Sequence, residues 1–306
     1  MYHPWQADHE IDPITATRLI EAQFPQLMPL TLRLFAEGWD NRAFLVNDRF
    51  IFRFPRRNIA VDLLRTEMGV LGELFHHLPL AIPNPVFKGQ PNEAFPWPFA
   101  GYEMLPGQSA CKANLLMAER RRCAVPLARF LASLHGLAPS EALCRQLPGD
   151  TLRRCQIDRL KEKIRNNAED LSGQLGPQIL DHIRRSLSRS FHYEPRTNVL
   201  VHGDLYVRHL LVSGEREICG VIDWGDVHLG DPGLDLSIAW SFLPPDSHTT
   251  FRNAYGAIQE TTWTFARLRA LHYGLVLKKY GQHLEDADLV READYILDFQ
   301  MAAASH

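Results

Sequence analysis

The spacing of apolar residues changes along this chain of 306 residues and divides it into two kinds of sequence. In the first third, apolar and polar residues alternate over 30–34, and short apolar runs follow at 43–46 and 50–54. Alternation and short runs between turn residues predict antiparallel β-strands. After about residue 105 the apolar residues recur every three or four positions, which predicts helices. We therefore expect a small sheet followed by a larger, mostly helical region.

Two helices are predicted to accompany the strands. Asp12-Pro13 is a typical helix start, because aspartate caps the first turn and proline fits the first helical position, so a helix over 14–24 follows. The second helix has an apolar face with 3-4-3-4-3 spacing, made of Val61, Leu64, Met68, Leu71, Phe75 and Leu78. Glu67 flanks this apolar face.

Acidic residues occur at both ends of a predicted hairpin in the stretch 200–236. His202-Gly203-Asp204 follows one apolar run, and two further runs, 210–212 and 218–222, are separated by a Ser-Gly-Glu turn. Asp223 comes directly after the second run, so we expect Asp204 and Asp223 to face one small space. Two carboxylates at strand ends, with His209 between them, suggest a base beside a divalent-metal site.

An isolated His-Gly-Asp is usually only a turn, but here it occurs with three further elements. His209 follows Asp204 by five residues, Ile-Asp-Trp occupies 222–224, and Asp231-Pro232 comes next. Together these residues resemble the aminoglycoside phosphotransferase family, which are small-molecule kinases with a protein-kinase-like fold. The common family pattern has Asn at the position of His209. The macrolide phosphotransferases of this superfamily resemble the chain more closely, because they also have His there.

The resemblance implies an α+β, two-lobed, protein-kinase-like fold. Residues 1–105 would form a nucleotide-binding N-lobe with the small antiparallel sheet. Residues 106–306 would form a mostly helical C-lobe with the catalytic loop and the acceptor-binding helices. The family resemblance further implies a phosphotransferase with an alcohol group as acceptor, which moves the γ-phosphate of ATP or GTP to an antibiotic or metabolite. An antibiotic acceptor would make the protein a resistance enzyme.

The same resemblance assigns roles to residues of the central stretch. Asp204 would act as the base that accepts the hydrogen bond of the acceptor hydroxyl, and Asp223 would hold Mg²⁺ on the nucleotide phosphates. His209 would be the second metal ligand. Imidazole is a poorer ligand for Mg²⁺ than an amide oxygen, so we expect weaker or partly water-mediated metal binding. His202 and Asp235 would brace this loop, with Asp231 at the start of the next helix.

The nucleotide-binding residues are also implied by the resemblance. Arg53 would be the phosphate-pairing cation, held by an ion pair with Glu67; the alternative is that it belongs to a solvated basic turn. The segment 37–41, with one glycine in place of a glycine-rich loop, would lie over the phosphates. Backbone groups near Glu103, Met104 and Leu105 would receive the purine, with Tyr102 at the gatekeeper position. Backbone recognition leaves ATP and GTP equally open.

The acceptor is expected to be a small molecule. Only seven residues separate Asp223 from Asp231, which leaves no room for the activation segment of a protein kinase. Large apolar residues of the last third either line a pocket for a bulky acceptor such as a macrolide or form core: Trp240, Phe242, Trp263, Phe265 and Tyr273. Acidic residues of the last helix, Glu285, Asp288 and Glu292, either bind a cationic acceptor or form a solvated exterior, which we favour.

Composition excludes several other classes of protein. The net charge of −3 provides no basic surface for nucleic acid or acidic membranes. Five cysteines without a C-x-x-C pair are typical of reduced thiols in a cytoplasmic protein. No apolar run approaches the ~18 residues of a membrane helix, and the polar N-terminus lacks the order of a signal peptide. We therefore expect a cytoplasmic enzyme without a nucleic-acid or membrane partner.

Two other functions are compatible with the sequence. A pseudokinase would bind nucleotide or a partner without catalysis; the unusual His209 favours it, and the intact Asp204 and Asp223 argue against it. A purely structural two-lobed protein would bind neither Mg²⁺ nor nucleotide. The identity of the acceptor stays open at this point.

Overall fold

A computed structural model describes residues 7–38 and 40–302 of the chain, which form two compact units. The first unit contains the described residues up to His77, together with Ala81–Leu105 and Asp223–Asp226. The second contains Leu78–Leu80, Pro106–Ile222 and the described residues from Val227 onwards. Asp223–Asp226 therefore belong to the first unit, although much of the second unit precedes them in the sequence.

The first unit is built on a five-stranded antiparallel sheet with the order β1-β2-β3-β5-β4. Its strands are Leu32–Glu37 (β1), Asn41–Val46 (β2), Phe50–Pro55 (β3), Pro85–Gly89 (β4) and Phe99–Glu103 (β5). The predicted strands at 43–46 and 50–54 are therefore confirmed. Arg53 lies on the central strand β3, where it pairs with Ala43 of β2 and Ala100 of β5.

The edge strand β1 differs from its prediction. Leu30 and Leu32 pack against the core of the unit as expected, but Leu34 is 47% exposed. The register of β1 against β2 shifts between Leu34 and Ala36. Leu34 lies before this irregularity, opposite Phe44, but β1 is an edge strand with a neighbouring strand on one side only, so apolar spacing alone does not ensure burial there.

Two helices accompany this sheet. The first is Pro13–Gln23 (α1), and Asp12 caps it by accepting hydrogen bonds from the backbone N–H groups of Ile14 (2.8 Å) and Thr15 (3.0 Å). The second is Asn58–Leu74 (α2), which ends before Phe75 and Leu78, two residues of its predicted apolar face. A 3₁₀ turn at Pro25–Leu27 follows α1. The core of the unit is aromatic and includes Phe44, Phe52, Phe54, Phe95 and Phe99.

Helices make up most of the second unit. They are Ala110–Ala113 (α3), Met117–Arg122 (α4), Ala124–Gly136 (α5), Glu141–Gln146 (α6), Ile157–Asp170 (α7), Pro177–Ser188 (α8), Gly233–Phe242 (α9), His248–Tyr255 (α10), Glu260–His283 (α11) and Ala287–Ala302 (α12). Short strands join them: Gln108–Ser109 (β6), Val199–Val201 (β7), Leu210–Val212 (β8), Ile218–Val221 (β9) and His228–Gly230 (β10). Two 3₁₀ turns, Val207–His209 and Pro245–Ser247, complete the unit. The predicted hairpin is β8–β9, and β6 extends it to three strands.

The interior of this unit lies around α9, whose ten residues are all buried. Helix α12 packs closely on α11 at Gly274, where a Cβ atom would approach the Ile296 side chain to 3.0 Å. All five large apolar residues named as either pocket or core are buried, which favours core. In the part of the chain that is described, no helix combines the length and apolarity that a membrane span requires.

One prediction for the last helix is wrong. Glu292 does not belong to a solvated exterior, because it is 1% exposed and forms an ion pair with the fully buried Arg120. Both carboxylate oxygens of Glu292 accept from Nη2 of Arg120, at 2.6 and 2.7 Å. The Arg120 guanidinium also lies 4.9 Å from the ring centroids of Phe242 and Tyr295. The acid therefore compensates a charge in the interior.

Candidate active site

The loop after β7 is held by a buried carboxylate. Asp235, in the first turn of α9, accepts hydrogen bonds from the backbone N–H groups of His202 (2.7 Å) and Gly203 (2.9 Å). Gly203 has a φ of +84°, a conformation that glycine adopts readily. Burial alone would raise the pKa of Asp235, but the hydrogen bond from His135 and the charges of two histidines hold it below its ordinary value. The expected bracing by His202 and Asp235 is therefore present.

Asp204 follows this braced segment and has a second anchor. One of its carboxylate oxygens, Oδ1, accepts a hydrogen bond from the hydroxyl of Tyr273 at 2.8 Å. That hydroxyl accepts in turn from Arg269 at 3.4 Å. Oδ2 of Asp204 accepts no hydrogen bond from the residues that the structure describes. The half-buried carboxylate thus has one fixed oxygen and one that can receive a donor.

Tyr273 is a site residue whose role the sequence did not indicate. It lies 69 residues from Asp204 in the chain, and its apolar neighbours on α11 suggested only core or pocket. Burial and the neighbouring Asp204 carboxylate raise the pKa of Tyr273 far above its ordinary value. Its phenol therefore stays protonated and donates to Asp204. No local pattern could reveal this pairing, because it depends on how α11 packs.

His209 is the last residue of the 3₁₀ turn that follows the loop of Asp204, and it is 8% exposed. Its Nδ1 atom lies 2.8 Å from the backbone carbonyl oxygen of Asp204. A carbonyl only accepts, so Nδ1 carries the proton and the lone pair of the neutral ring is on Nε2. Histidines that bind metals are commonly oriented by such a hydrogen bond on the other nitrogen. The geometry fits both a metal ligand and a brace for the loop.

The end of β9 is tied to the same loop. Ile222 donates its N–H to the carbonyl of His209 at 2.9 Å, and its own carbonyl lies 3.1 Å from Nε2 of His202. Asp223 is the next residue and has a φ of +66°. Residues other than glycine rarely adopt this conformation, and such strain is concentrated at functional sites. That Asp204 and Asp223 face one space stays a prediction.

In the first unit, Arg53 forms the expected ion pair with Glu67. Nη1 of Arg53 donates to both oxygens of Glu67, at 2.8 and 3.0 Å, and Nη2 donates to Oδ1 of Asp223 at 3.3 Å. Arg53 is 19% exposed and Glu67 only 1%, so the alternative of a solvated basic turn is wrong for this residue. Burial raises the pKa of Glu67, and the Asp223 charge adds to this while Arg53 opposes it. Three predicted site residues therefore lie together.

Further carboxylates concentrate negative charge near Asp223. Burial raises the pKa of Asp40, and the charges of Asp226 and Asp223 add to this, while Arg57 opposes it with an ion pair at 2.9 Å. Among the described residues, no three His, Cys, Asp or Glu side chains are arranged as a metal site. Mg²⁺ usually binds through one or two carboxylates, with water and substrate phosphates as its other ligands. The oxygen-rich surroundings of Asp223 fit that mode of binding.

The segments predicted to contact the nucleotide lie at the ends of strands. In the segment 37–41, Trp39 is outside the described residues, and Gly38 donates to the carbonyl of Asn41 at 2.9 Å. At the end of β5, the N–H of Met104 donates to the carbonyl of Arg49 at 2.8 Å. That N–H belongs to the sheet, which leaves the carbonyl of Glu103 and the backbone of Leu105 for a ligand. A purine contact at these groups stays a prediction.

The buried side chain of Tyr102 lies on β5 beside these groups. Its hydroxyl has no hydrogen-bond partner in the described part of the chain, and burial raises its pKa well above the ordinary value. The charges of Glu67 and Asp223 act on Tyr102 in the same direction as burial, and that of Arg53 acts against them. The proposed gatekeeper therefore lies in the same part of the unit as the ion pair.

Comparison with known proteins identifies the family. A model of the phosphotransferase enzyme family (APH) matches residues 31–271. Among solved structures, the GDP and kanamycin complex of APH(2")-IIia is 24% identical, with a TM-score of 0.65 over 94% of this chain and 99% of that one. The streptomycin–ATP complex of APH(2")-IIa is 18% identical, with a TM-score of 0.58 over 96% and 99%. Macrolide 2'-phosphotransferase MphH from Brachybacterium faecium is 21% identical, with a TM-score of 0.57 over 93% and 98%.

The chain belongs to the phosphotransferase enzyme family, since the family model matches most of its length. This confirms the resemblance and the expectation of a phosphotransferase. The structural likenesses confirm the α+β kinase-like fold, with its five-stranded antiparallel sheet and its helical C-terminal region. The individual site residues stay predictions.

Proposed function

We propose that the protein is a small-molecule kinase that transfers the γ-phosphate of ATP or GTP to a hydroxyl group of an antibiotic or metabolite of aminoglycoside or macrolide type. The arrangement of Asp204 carries this proposal: its loop is braced by Asp235, one of its oxygens is fixed by Tyr273, and the other can accept a donor. An oriented carboxylate of this kind suits a base that aligns an acceptor hydroxyl. The similar structures, which contain GDP with kanamycin or ATP with streptomycin, support nucleotide and antibiotic as the two substrates.

In the proposed mechanism, Asp204 accepts the hydrogen bond of the acceptor hydroxyl and orients its oxygen toward the γ-phosphorus. Arg53 donates hydrogen bonds to phosphate oxygens, and Glu67 orients its guanidinium through the ion pair. Asp223 and Nε2 of His209 would hold Mg²⁺, which when bound neutralises charge on the phosphates. Phosphoryl transfer needs positioning and charge neutralisation more than covalent chemistry, and these side chains supply both.

The remaining parts of the proposal follow from the same assignment. Backbone groups of Glu103, Met104 and Leu105 would receive the purine, with the first 105 residues as the nucleotide-binding lobe and 106–306 as the catalytic and acceptor-binding lobe. We propose a cytoplasmic location and no nucleic-acid or membrane partner, on the basis of composition and charge. An antibiotic acceptor would confer resistance.

A phosphate-transfer screen tests the function. The protein is incubated with ATP or GTP and Mg²⁺ against aminoglycosides, macrolides, choline-like alcohols and sugars, and products are detected by mass spectrometry. We expect one acceptor class to gain a phosphoryl group, and Asp204→Asn to abolish most of this transfer. Nucleotide binding without transfer to any acceptor would support the pseudokinase alternative. Absence of a thermal shift with Mg²⁺ and either nucleotide would contradict both.

A further inference from the structure

A cavity of about 320 Å³ lies among α8, α11 and α12 of the second unit. Its wall on α11 is formed by Thr264, Arg267, Leu268 and Leu271, which recur at helical spacing and share one face. Tyr273 comes two residues later, which places it about 200° around the helix from Leu271. The cavity is therefore on the side of α11 that faces away from Asp204.

The polar part of the cavity wall is basic. Arg185, Arg189 and Arg267 line it together with His182, and none of its lining residues is acidic. Arg185 has an ion pair with Asp181 at 3.2 Å. Arg189 and Arg267 have no carboxylate partner among the described residues. Two cationic side chains beside one cavity are thus left without a compensating negative charge.

Arg267 is held in place although it lacks an acid. Its Nε donates to Oε1 of Gln300 at 3.2 Å, its Nη2 donates to the Gln300 carbonyl at 2.9 Å, and its guanidinium lies 4.9 Å from the Trp240 ring centroid. Burial and the Arg189 charge lower the pKa of Arg267, which reflects positive charge that is not offset. Burial and the three arginines lower the pKa of His182 to about 4, so that ring is neutral near pH 7.

Gln300 belongs to the same wall, where its two oxygens hold Arg267. It is 1% exposed, and its oxygen faces Arg267, which only donates. Its amide nitrogen therefore points elsewhere and has no hydrogen-bond partner in the described part of the chain. Nη1 of Arg267 makes no hydrogen bond with the described residues, so it is left as a donor for an acceptor in the cavity.

The apolar part of the wall contains Phe191, Leu268 and Leu271. The volume of the cavity is at the lower end of the range for small-molecule sites and exceeds what one inorganic oxyanion would fill. We propose that this cavity binds a small organic oxyanion, with a phosphate or carboxylate group at Arg189 and Arg267 and an apolar body against Phe191 and the two leucines. Guanidinium groups recognise both head groups through charge-assisted hydrogen bonds.

Calorimetric titration of the intact protein with phenyl phosphate, benzoate and inorganic phosphate tests this site. We expect phenyl phosphate or benzoate to bind more tightly than inorganic phosphate, and the tighter of the two identifies the head group. Arg189→Gln should weaken binding roughly tenfold, because one charge-assisted hydrogen bond is lost. Arg267→Gln should weaken it at least as much. Arg189 is exposed and its side chain makes no hydrogen bond with the described residues, so its variant should fold even if Arg267→Gln does not.

Two control variants separate this site from other anion-binding groups. Arg184→Gln removes an exposed arginine of α8, five residues before Arg189, that pairs with Asp181 and does not line the cavity, so it should leave the affinity unchanged. Arg53→Ala should also leave it unchanged, because Arg53 belongs to the proposed nucleotide site. Binding that is lost in Arg53→Ala and kept in Arg189→Gln would overturn the proposal, as would no binding at all. Since the measurement is binding and not phosphate transfer, its outcome is independent of the proposed kinase activity.

Discussion

Asp204 is the side chain on which the proposed chemistry depends most. Asp204→Asn keeps the size of the side chain and an oxygen that can accept from Tyr273, but it removes the negative charge that orients the acceptor hydroxyl. We expect kcat to fall by roughly 10²–10⁴-fold, the usual contribution of a positioned acid–base group. Nucleotide affinity, measured by calorimetry, should change little. An Asp204→Asn protein with full activity would exclude Asp204 from the mechanism.

Tyr273 is expected to act through Asp204. Tyr273→Phe removes the hydroxyl that fixes Oδ1 of Asp204 and leaves the buried ring in place. Because hydrogen bonds to charged groups contribute about 1.5–3 kcal/mol, we expect kcat to fall roughly ten- to a hundredfold, less than in Asp204→Asn. Tyr295→Phe is a matched control, since the Tyr295 hydroxyl makes no hydrogen bond with the described residues. Equal kcat in both variants would make the Tyr273 hydrogen bond irrelevant to catalysis.

His209 has two possible roles that its contacts do not separate. If Nε2 binds Mg²⁺, His209→Asn supplies a harder oxygen ligand and should remain active, whereas His209→Ala should need more Mg²⁺ for half-maximal rate. If His209 only braces the loop through its contact with the Asp204 carbonyl, all three proteins should show one Mg²⁺ dependence. Rates measured over a series of Mg²⁺ concentrations decide between the two roles.

Helices and strands with a local signal could be predicted from the sequence. The cap at Asp12 and the hairpin β8–β9 follow from neighbouring residues, and both are present. Elements whose limits depend on tertiary contacts could not be predicted equally well. Helix α2 ends at Leu74 although the apolar spacing continues, and Leu34 of the edge strand β1 is exposed although the alternation predicts burial. Local periodicity contains no information about either.

The same reasoning separates the parts of the candidate site. The ion pair of Arg53 with Glu67 could be predicted, because the family resemblance places a cation and an acid on neighbouring elements. The contact of Tyr273 with Asp204 could not, because it joins α11 to a loop 69 residues away. The pairing of Arg120 with Glu292 spans 172 residues, and on its own helix Glu292 is indistinguishable from a solvated acid.

Glu292 ties α12 to the interior, and we expect it to be important for stability. Glu292→Gln leaves the buried Arg120 charge without its counter-charge, which typically costs about 3–5 kcal/mol. The urea midpoint should therefore fall markedly. Asp288→Asn is a control on the same helix, because the Asp288 pair with Arg291 is more exposed and such pairs contribute about 0–1 kcal/mol. Equal midpoints for the two variants would contradict the importance of the buried pair.

The second unit as a whole contains several histidines that are buried in neutral form. Burial lowers the pKa of His182 and of His248 to about 4, and that of His272 to about 3. An unfolded histidine has a pKa near ~6.5, so between pH ~6.5 and ~4 the unfolded chain binds more protons than the folded protein. These groups therefore contribute stability that is fully present above pH ~6.5 and is lost as the pH falls toward ~4.

His248 allows this contribution to be measured by itself. It is 8% exposed, and its Nε2 lies 3.0 Å from the carbonyl of Ala239, so a glutamine amide can replace the donor without titrating. A pKa difference between ~6.5 and ~4 corresponds to roughly 3 kcal/mol, which His248→Gln should remove from the change in unfolding free energy between pH ~7 and ~4. His192→Gln, at a side chain that is 86% exposed, should leave that change unaltered. Urea unfolding at several pH values measures the free energy of unfolding of both variants. If this free energy changes with pH equally in the unmodified protein and in His248→Gln, then His248 is already solvated in the folded state.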